Sequence, residues 1–397
     1  MHFIGKRNTL PLFFMLTKSD QWLEANTNVA LLEAVRKSDL QDVTAMATLR
    51  KCWSMKEISI AGELIRAKER AIGKLENATH LLADQVGVQQ ATSTQIAEHK
   101  AKRFIGDTPI LDLCCGIGSD LRALPMQTIG VDVDSLRCTM ASFNSGKETI
   151  CEDVLSTVIQ RETLVHIDPS RRSSTQRLHT LEAMEPNLEE LSGIVTSCAG
   201  GCIKVSPAVN PEDLESFKGT YELEYIEENG RVVQGIIWFG SLATNVEQVT
   251  ATSMTLGMSV TGTLDYPSFN STFQGWILEP NPALERARLH GTVGNQIGAT
   301  ELAPNLGLLC TNTNPSSPWF TPFEIIATTP LRIEKVAKQL REEGCTQVEV
   351  KTRDKTIDPN EWQNKLSSKS SGPLLTIFAL RIGKKRVAVI TRRHGQQ

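Results

Sequence analysis

No apolar run in this chain is long enough to cross a bilayer as a helix. The longest near the start, LPLFFML at residues 10–16, is far short of the roughly 20 residues a membrane crossing needs. Lys6 and Arg7 precede that run in the manner of a signal peptide. TKSD follows where a small-residue cleavage site belongs, so export is not expected. A cysteine framework is missing as well. The nine cysteines, at 52, 114, 115, 138, 151, 198, 202, 310 and 345, form no repeated CxxC, and their odd number speaks against disulfide pairing. A reducing cytoplasm is the expected compartment. No set of His and Cys has zinc-site spacing, so no metal is expected, and no internal repeat or low-complexity tract appears.

What is present suits a folded protein of two to three domains: 397 residues, 40% hydrophobic and 22% charged. Charge is uneven along the chain. Residues 323–397 hold 15 Lys and Arg against 8 Asp and Glu, a net of +7, which leaves −10 for the remainder. A basic appendage on an acidic body suits contact with phosphates, and it equally suits a solvated face.

Residues 17 to about 105 read as helices. Trp22, Leu23, Leu31, Leu32 and Val35, then Ile58, Ile60, Leu64, Ile65 and Ile72, recur at helical spacing among charged residues. Thr92 followed by Gln95 matches a capping box, and Ile96, Lys100 and Phe104 continue one face of that last helix. From residue 109 the pattern changes to short apolar runs, PILDL, TIGVD, TIC, LVHID and CIKVS, separated by helix-sized polar segments. That alternation implies a parallel sheet wound on both faces. YELEYIE and RVVQGIIWFG flank Asn229-Gly230, a hairpin signal, so an antiparallel pair should close the sheet. Residues from about 270 read as a connector rich in Gly, Pro and Asn. FEIIATT, a helix over 332–343, VEVKT, a helix near 361–366, LLTIFALR and RVAVIT then suggest a small α+β unit.

The chemistry is expected after the first strand. ILDLCCGIGSD, residues 110–120, places Asp112 near the strand end and Gly116 and Gly118 in the following turn, where backbone can approach a ligand closely. The NAD fingerprint needs a third glycine three residues after Gly118, and Leu121 stands there. An acid inside the first strand instead suits a ligand with a positive amine facing the loop, as S-adenosylmethionine (SAM) has. Its ribose diol needs a carboxylate at the end of the second strand, where Asp132 lies, and its adenine amine an acceptor beyond the third, where Asp153 lies. SAM is therefore the expected cofactor.

The fourth strand ends in HIDPSRR. Asp168 could orient or deprotonate a methyl acceptor there, and Arg171 and Arg172 offer forked donors for a phosphate or carboxylate. The alternative is that Asp168 caps the next loop and the arginines face solvent. His166 reads as a core histidine, Cys198 as a core cysteine at a helix end, Cys114 and Cys115 as packing, and Lys204 as either crevice or wall.

LDLCCGIGSD, GVDVD, CEDV, IDPSRR and IKVSP together resemble the bacterial class I SAM-dependent methyltransferases that carry a C-terminal THUMP-like domain. The likeness takes in QATSTQIAEHKAKRF, ENGRVVQGIIWFG, LEPNPALERARL and VEVKTRDKTIDP, and so covers most of residues 85–393. It implies an α/β fold with a seven-stranded Rossmann-like methyltransferase core over 106–268. An α-helical region over 1–105 would precede the core; a connector over 269–322 and a THUMP-like α+β domain over 323–397 would follow it. It also implies methyl transfer, with RNA, and tRNA in particular, as the partner of the basic domain. A protein or small-molecule acceptor, or a non-catalytic RNA-binding role, is the competing reading. Ser170 and Arg171 stand where enzymes that methylate base amines carry Pro and an aromatic, which argues against that acceptor. DPSRR is nearer to the DPPR run of RNA 5-methyluridine enzymes, which need a nucleophilic cysteine. Lys351, Arg353 and Lys355 would share a strand face that could follow a phosphate backbone.

Overall fold

This computed structural model describes residues 16–171, 181, 184–217, 219–264, 267–273, 275–313, 315–353, 357–367 and 372–394. Two compact units emerge, divided between Ile203 and Lys204 apart from a short excursion. Among the described residues no helix is long and apolar enough to cross a membrane.

The first unit opens with α1 (Lys18–Thr27), α2 (Val29–Arg36), α3 (Val43–Leu49), α4 (Met55–Ala71), α5 (Gln85–Gln90) and α6 (Thr94–Ala101). Reciprocal capping boxes start α1 at Thr17 with Asp20, and α4 at Ser54 with Glu57. The box read at Thr92 does not form. Ser93 is the cap residue of α6, and the Thr92 hydroxyl donates instead to Asp120 Oδ2 at 2.7 Å. The helices do not stand as a domain of their own. Their apolar cluster, with Leu31, Ile58, Leu64 and Leu82, also takes in Ile117, Leu136 and Met140 from beyond residue 105.

The unit continues through β1 (Ile110–Leu113), α7 (Ser119–Ala123), β2 (Ile129–Asp132), α8 (Ser135–Ser145), β3 (Thr149–Cys151) and β4 (Leu164–Ile167). After these come β5 (Ser170–Arg171), β6 (Met184–Glu185), α9 (Ser192–Ser197) and β7 (Gly200–Val205). The five parallel strands read from the apolar runs are all found, in the order β7-β4-β1-β2-β3. β5 and β6 form a separate short antiparallel pair.

The second unit holds β8 (Tyr221–Glu228), β9 (Arg231–Gly240), β10 (Val249–Ser253) and β11 (Met258–Gly262), in the order β11-β10-β8-β9. The expected hairpin joins β8 to β9, with Asn229 at φ 53° and Gly230 at φ 76° in its turn. Among the described residues, and leaving aside the separate β5–β6 pair, the strands of the expected core thus number nine, where seven were read from the resemblance. β10 and β11 were missed because VTATS and MSVTG are too polar to read as core. β10 is interior because β8 buries carboxylates, and β11 pairs with β10 at the edge of the sheet. Glu222, Glu224 and Glu227 are at most 1% exposed. Thr250 donates to Glu222, Thr252 and Trp238 Nε1 to Glu224, and Ser253 and Thr255 to Glu227.

Next come β12 (Trp276–Pro280), α10 (Pro282–Arg286), α11 (His290–Gln296), β13 (Thr300–Glu301), β14 (Leu309–Thr311) and β15 (Phe320–Pro330). The chain ends with α12 (Ile333–Glu342), β16 (Gln347–Thr352), α13 (Pro359–Leu366), β17 (Leu374–Ile382) and β18 (Lys385–Arg393). Their seven-stranded sheet runs β13-β14-β12-β15-β18-β17-β16. The stretch read as a connector therefore supplies three strands to the sheet of the C-terminal unit. Phe323 and Phe378 meet edge to face, with centroids 5.0 Å apart, in one of its cores.

The indole of Trp238 lies 2.7 Å from Glu224 Oε2 with both residues buried. Trp238→Phe should therefore lower stability by about 1–3 kcal/mol in urea unfolding, because a buried acceptor loses a donor. Unchanged stability would remove that bond from the account of β10 and β11.

Candidate functional site

β1 lies between β2 and β4, with Asp112 level with Gly130 on one side and His166 on the other. Beyond its carboxyl end the chain turns sharply. Cys114 has φ 60°, Gly116 φ 57° and Gly118 φ 81°. The two glycines have different reasons. A Cβ on Gly118 would sit 2.8 Å from Ala141 Cα and 2.9 Å from its carbonyl oxygen, so this glycine lets α8 close on the loop. A Cβ on Gly116 would meet nothing within 4 Å. Gly116 is the one that opens on to free space.

Asp132 ends β2 and is drawn into the loop. Gly116 N–H donates to its Oδ2 at 2.9 Å and Asp134 N–H to its Oδ1 at 3.0 Å. Burial pushes its carboxyl above the usual range despite those two donors. Asp153 follows β3, which pairs with β2 so that Cys151 stands level with Asp132. It is exposed, and its Oδ1 accepts from Leu155 N–H at 3.0 Å. Asp112, Gly116, Asp132 and Asp153 thus follow one another along the carboxyl ends of β1, β2 and β3.

Asp112 is wholly buried. Its Oδ1 lies 2.6 Å from His166 Nδ1, while its Oδ2, also buried, has no hydrogen-bond partner among the described residues. Burial raises its pKa, partly offset by His166. Two residues that the sequence did not point to lie behind it. Lys100, on α6, brings Nζ to 2.9 Å from His166 Nε2 and 2.6 Å from Asp120 Oδ1, and both Lys100 and Asp120 are buried. The available signal was a lysine on the Ile96–Phe104 stripe of a helix whose other stripe members are apolar.

Asp168 follows β4 and is half-buried, with its N–H donating to Leu113 O at 3.1 Å, which fixes it beside the end of β1. Arg171 lies in β5, level with Met184. Arg172 lies outside the described residues. Lys204 is half-buried in β7. Burial raises the thiols of Cys114, Cys115, Cys198 and Cys202, and pushes Cys138 up to about 12, so none is a ready thiolate near neutrality. Among the described residues, no group of three or more His, Cys, Asp or Glu is placed to hold a metal.

The row read as Lys351, Arg353 and Lys355 is not a face open to phosphate. Lys351 pairs with Glu279 at 2.6 Å, and Arg353 with Glu285 at 2.8 Å and Glu279 at 3.5 Å. Lys355 lies outside the described residues. Exposed cations gather elsewhere in the same unit. Gly383 and Lys384 form the turn between β17 and β18, with Ile382 level with Lys385 and Arg381 level with Arg386. Leu331 N–H donates to Arg386 O at 3.1 Å, which brings Arg332 and the start of α12, with Lys335, to the same end. Arg332, Lys335, Lys384, Lys385 and Arg386 are all exposed.

Residues 320–393 match the family described as THUMP domain-like. Two curated relatives, uncharacterised S-adenosylmethionine-dependent methyltransferases from two strains of Mycobacterium tuberculosis, are each 27% identical over 345 residues, spanning 82% of this chain and 93% of their own. A solved structure from Porphyromonas gingivalis W83, assigned as a methyltransferase, superposes with a TM-score of 0.71 at 18% identity, over 92% of this chain and 98% of that one. At that identity the last likeness speaks for the fold. The resemblance read from the sequence stands: the chain has SAM-dependent methyltransferase relatives over most of its length and a THUMP-like domain at its C-terminus.

The two glycines can be told apart by stability. Gly116→Ala should cost roughly 1 kcal/mol, the penalty of a side chain at positive φ. Gly118→Ala should cost about 2–4 kcal/mol in denaturant unfolding, because overpacking against the α8 backbone adds to that penalty. Equal losses would contradict the assignment of Gly118 to packing.

Proposed function

We propose that this SAM-dependent methyltransferase delivers its methyl group to RNA, held by the C-terminal THUMP-like domain. The observation that carries the RNA reading is the cluster of exposed cations where the β17–β18 turn meets the start of α12, within the THUMP-like match. Lys384, Lys385 and Arg386 follow one another there, with Arg332 and Lys335 brought to the same end. Like charges gathered in this way repel one another, and a polyanion offsets that repulsion.

The residues present fit SAM. Asp112 keeps a buried oxygen without a partner among the described residues, suited to an ammonium group, and in the loop that follows, a Cβ on Gly116 would meet nothing within 4 Å. Asp132 would accept from the ribose hydroxyls through lone pairs its two backbone donors leave unused, and Asp153 would take the adenine amine. Gly118 supports the loop through α8. When bound, SAM supplies a methyl group on a sulfonium, whose transfer is favourable, so alignment and exclusion of water are what the protein must add. Asp168, tied to Leu113, is assigned to the acceptor, where it would orient the nucleophile or hold its proton. Arg171 and Arg172 are assigned to an acceptor phosphate or carboxylate.

Asp132→Ala should weaken SAM binding by about 1.5 to 3 kcal/mol in calorimetry, through loss of charge-assisted hydrogen bonds. Unchanged affinity would remove Asp132 from the site.

The acceptor is tested by incubating the protein with tritiated SAM and fractionated cell RNA, protein and metabolites. Label in RNA is the expected result; label confined to protein or metabolites would overturn it. RNA binding should weaken steeply with salt. Replacing both Lys384 and Lys385 by Gln should lower the log-log slope by roughly 0.7 to 0.9 for each phosphate no longer neutralised. The same change at Lys351, already paired with Glu279, should leave it nearly unaltered.

A further inference from the structure

Behind the loop assigned to the cofactor, four ionisable side chains share a space from which water is excluded. Lys100, His166 and Asp112 are at most 1% exposed and Asp120 is 5% exposed. They come from α6, β4, β1 and α7, elements that a set of apolar residues could hold together as well. Lys100 Nζ touches Asp120 Oδ1 and His166 Nε2, and His166 Nδ1 touches Asp112 Oδ1, at 2.6, 2.9 and 2.6 Å.

Counting donors assigns the protons. An ammonium group has three donors and no acceptor, so the nitrogen facing it must present a lone pair. His166 Nε2 is therefore unprotonated. The ring is neutral, and its proton sits on Nδ1 and is donated to Asp112. Two carboxylates, one ammonium and a neutral ring leave one net negative charge. The Oδ2 of Asp112, buried and without a hydrogen-bond partner among the described residues, is the place where that charge is unmet. Burial alone would pull the Lys100 ammonium down, but Asp120 and the other anionic groups nearby outweigh it, so Lys100 stays charged.

We propose that Lys100 and His166 are positioning residues for the cofactor: Lys100 locks His166 in its Nδ1–H tautomer, His166 holds one oxygen of Asp112, and the other oxygen is left for the ammonium end of SAM. The inference rests on the SAM reading above and adds to it the residues that set the carboxylate. The incoming ammonium brings the cluster to neutrality. A purely structural role for the cluster makes a different prediction, because loosening α6 and β4 would harm every ligand of the loop alike.

The test compares SAM with 5′-methylthioadenosine, which keeps the adenosine and sulfur but lacks the amine and carboxylate. In calorimetry Lys100→Met should weaken SAM by roughly tenfold or more, the loss of about one charge-assisted hydrogen bond, and leave 5′-methylthioadenosine within about twofold. His166→Asn, which keeps a donor near the position of Nδ1, should retain SAM better than His166→Leu. Equal losses for both ligands, or no loss for SAM, would overturn the inference alone. A wild-type protein that binds neither ligand would overturn the SAM reading and the inference with it. Nitrogen-15 spectra of the wild-type protein need no variant to fold for their central reading. His166 should appear neutral with Nδ1 protonated at pH 7, and a charged ring or an Nε2–H tautomer contradicts the proposal.

Discussion

A carboxylate in the middle of a parallel sheet must find donors inside the protein, and Asp112 sets that requirement for the first unit. β4 answers it with His166 at the same level of the next strand. The imidazole then needs a partner of its own, which draws Lys100 in from α6. Lys100 in turn needs a counter-charge, which Asp120 supplies from the start of α7, with the Thr92 hydroxyl donating to its other oxygen. Desolvated charges are costly unless every member is paired. This chain is paired at each step except at Asp112 Oδ2, the oxygen assigned to the cofactor. The helix before the sheet is thereby tied to the start of α7 by electrostatics, and Phe104, just beyond that helix, meets the His166 ring edge to face.

The second unit meets the same difficulty with different chemistry. Glu222, Glu224 and Glu227 are buried on β8 and are met by hydroxyl groups of β10 and its flank, by the Trp238 indole and by backbone amides, donors that carry no charge. Neutral donors can satisfy a carboxylate when several converge on it. The strands that provide them are consequently rich in Thr and Ser.

That contrast explains what the sequence disclosed. The five parallel strands were legible because each is a short apolar run bounded by turns. β10 was not, since its core-facing residues are hydroxyls whose partners lie 28 residues away, and β11 was not, since it is a polar strand at the edge of the sheet. β12, β13 and β14 were hidden for another reason: they are short and lie among Gly, Pro and Asn. At the site, the acids near the ends of β1 and β2 and just beyond β3 could be read from spacing along the chain. Lys100 and Asp120 could not, because their roles depend on His166, which lies 66 residues beyond Lys100. The +7 charge of the C-terminal segment was legible from composition, but its row at Lys351 and Arg353 is taken up by Glu279 and Glu285. Residue type alone does not show which cations are already paired.

The unmet oxygen of Asp112 and the open space at Gly116 are proposed as the SAM site. A crystal structure of the protein with S-adenosylhomocysteine, the demethylated product, decides whether they are. The account predicts the amino group within hydrogen-bond distance of Asp112 Oδ2, the ribose hydroxyls on Asp132, and the Lys100–His166–Asp112 contacts unchanged. A ligand seated elsewhere, or one whose amino group avoids Asp112 while Oδ2 stays without a partner, would contradict it.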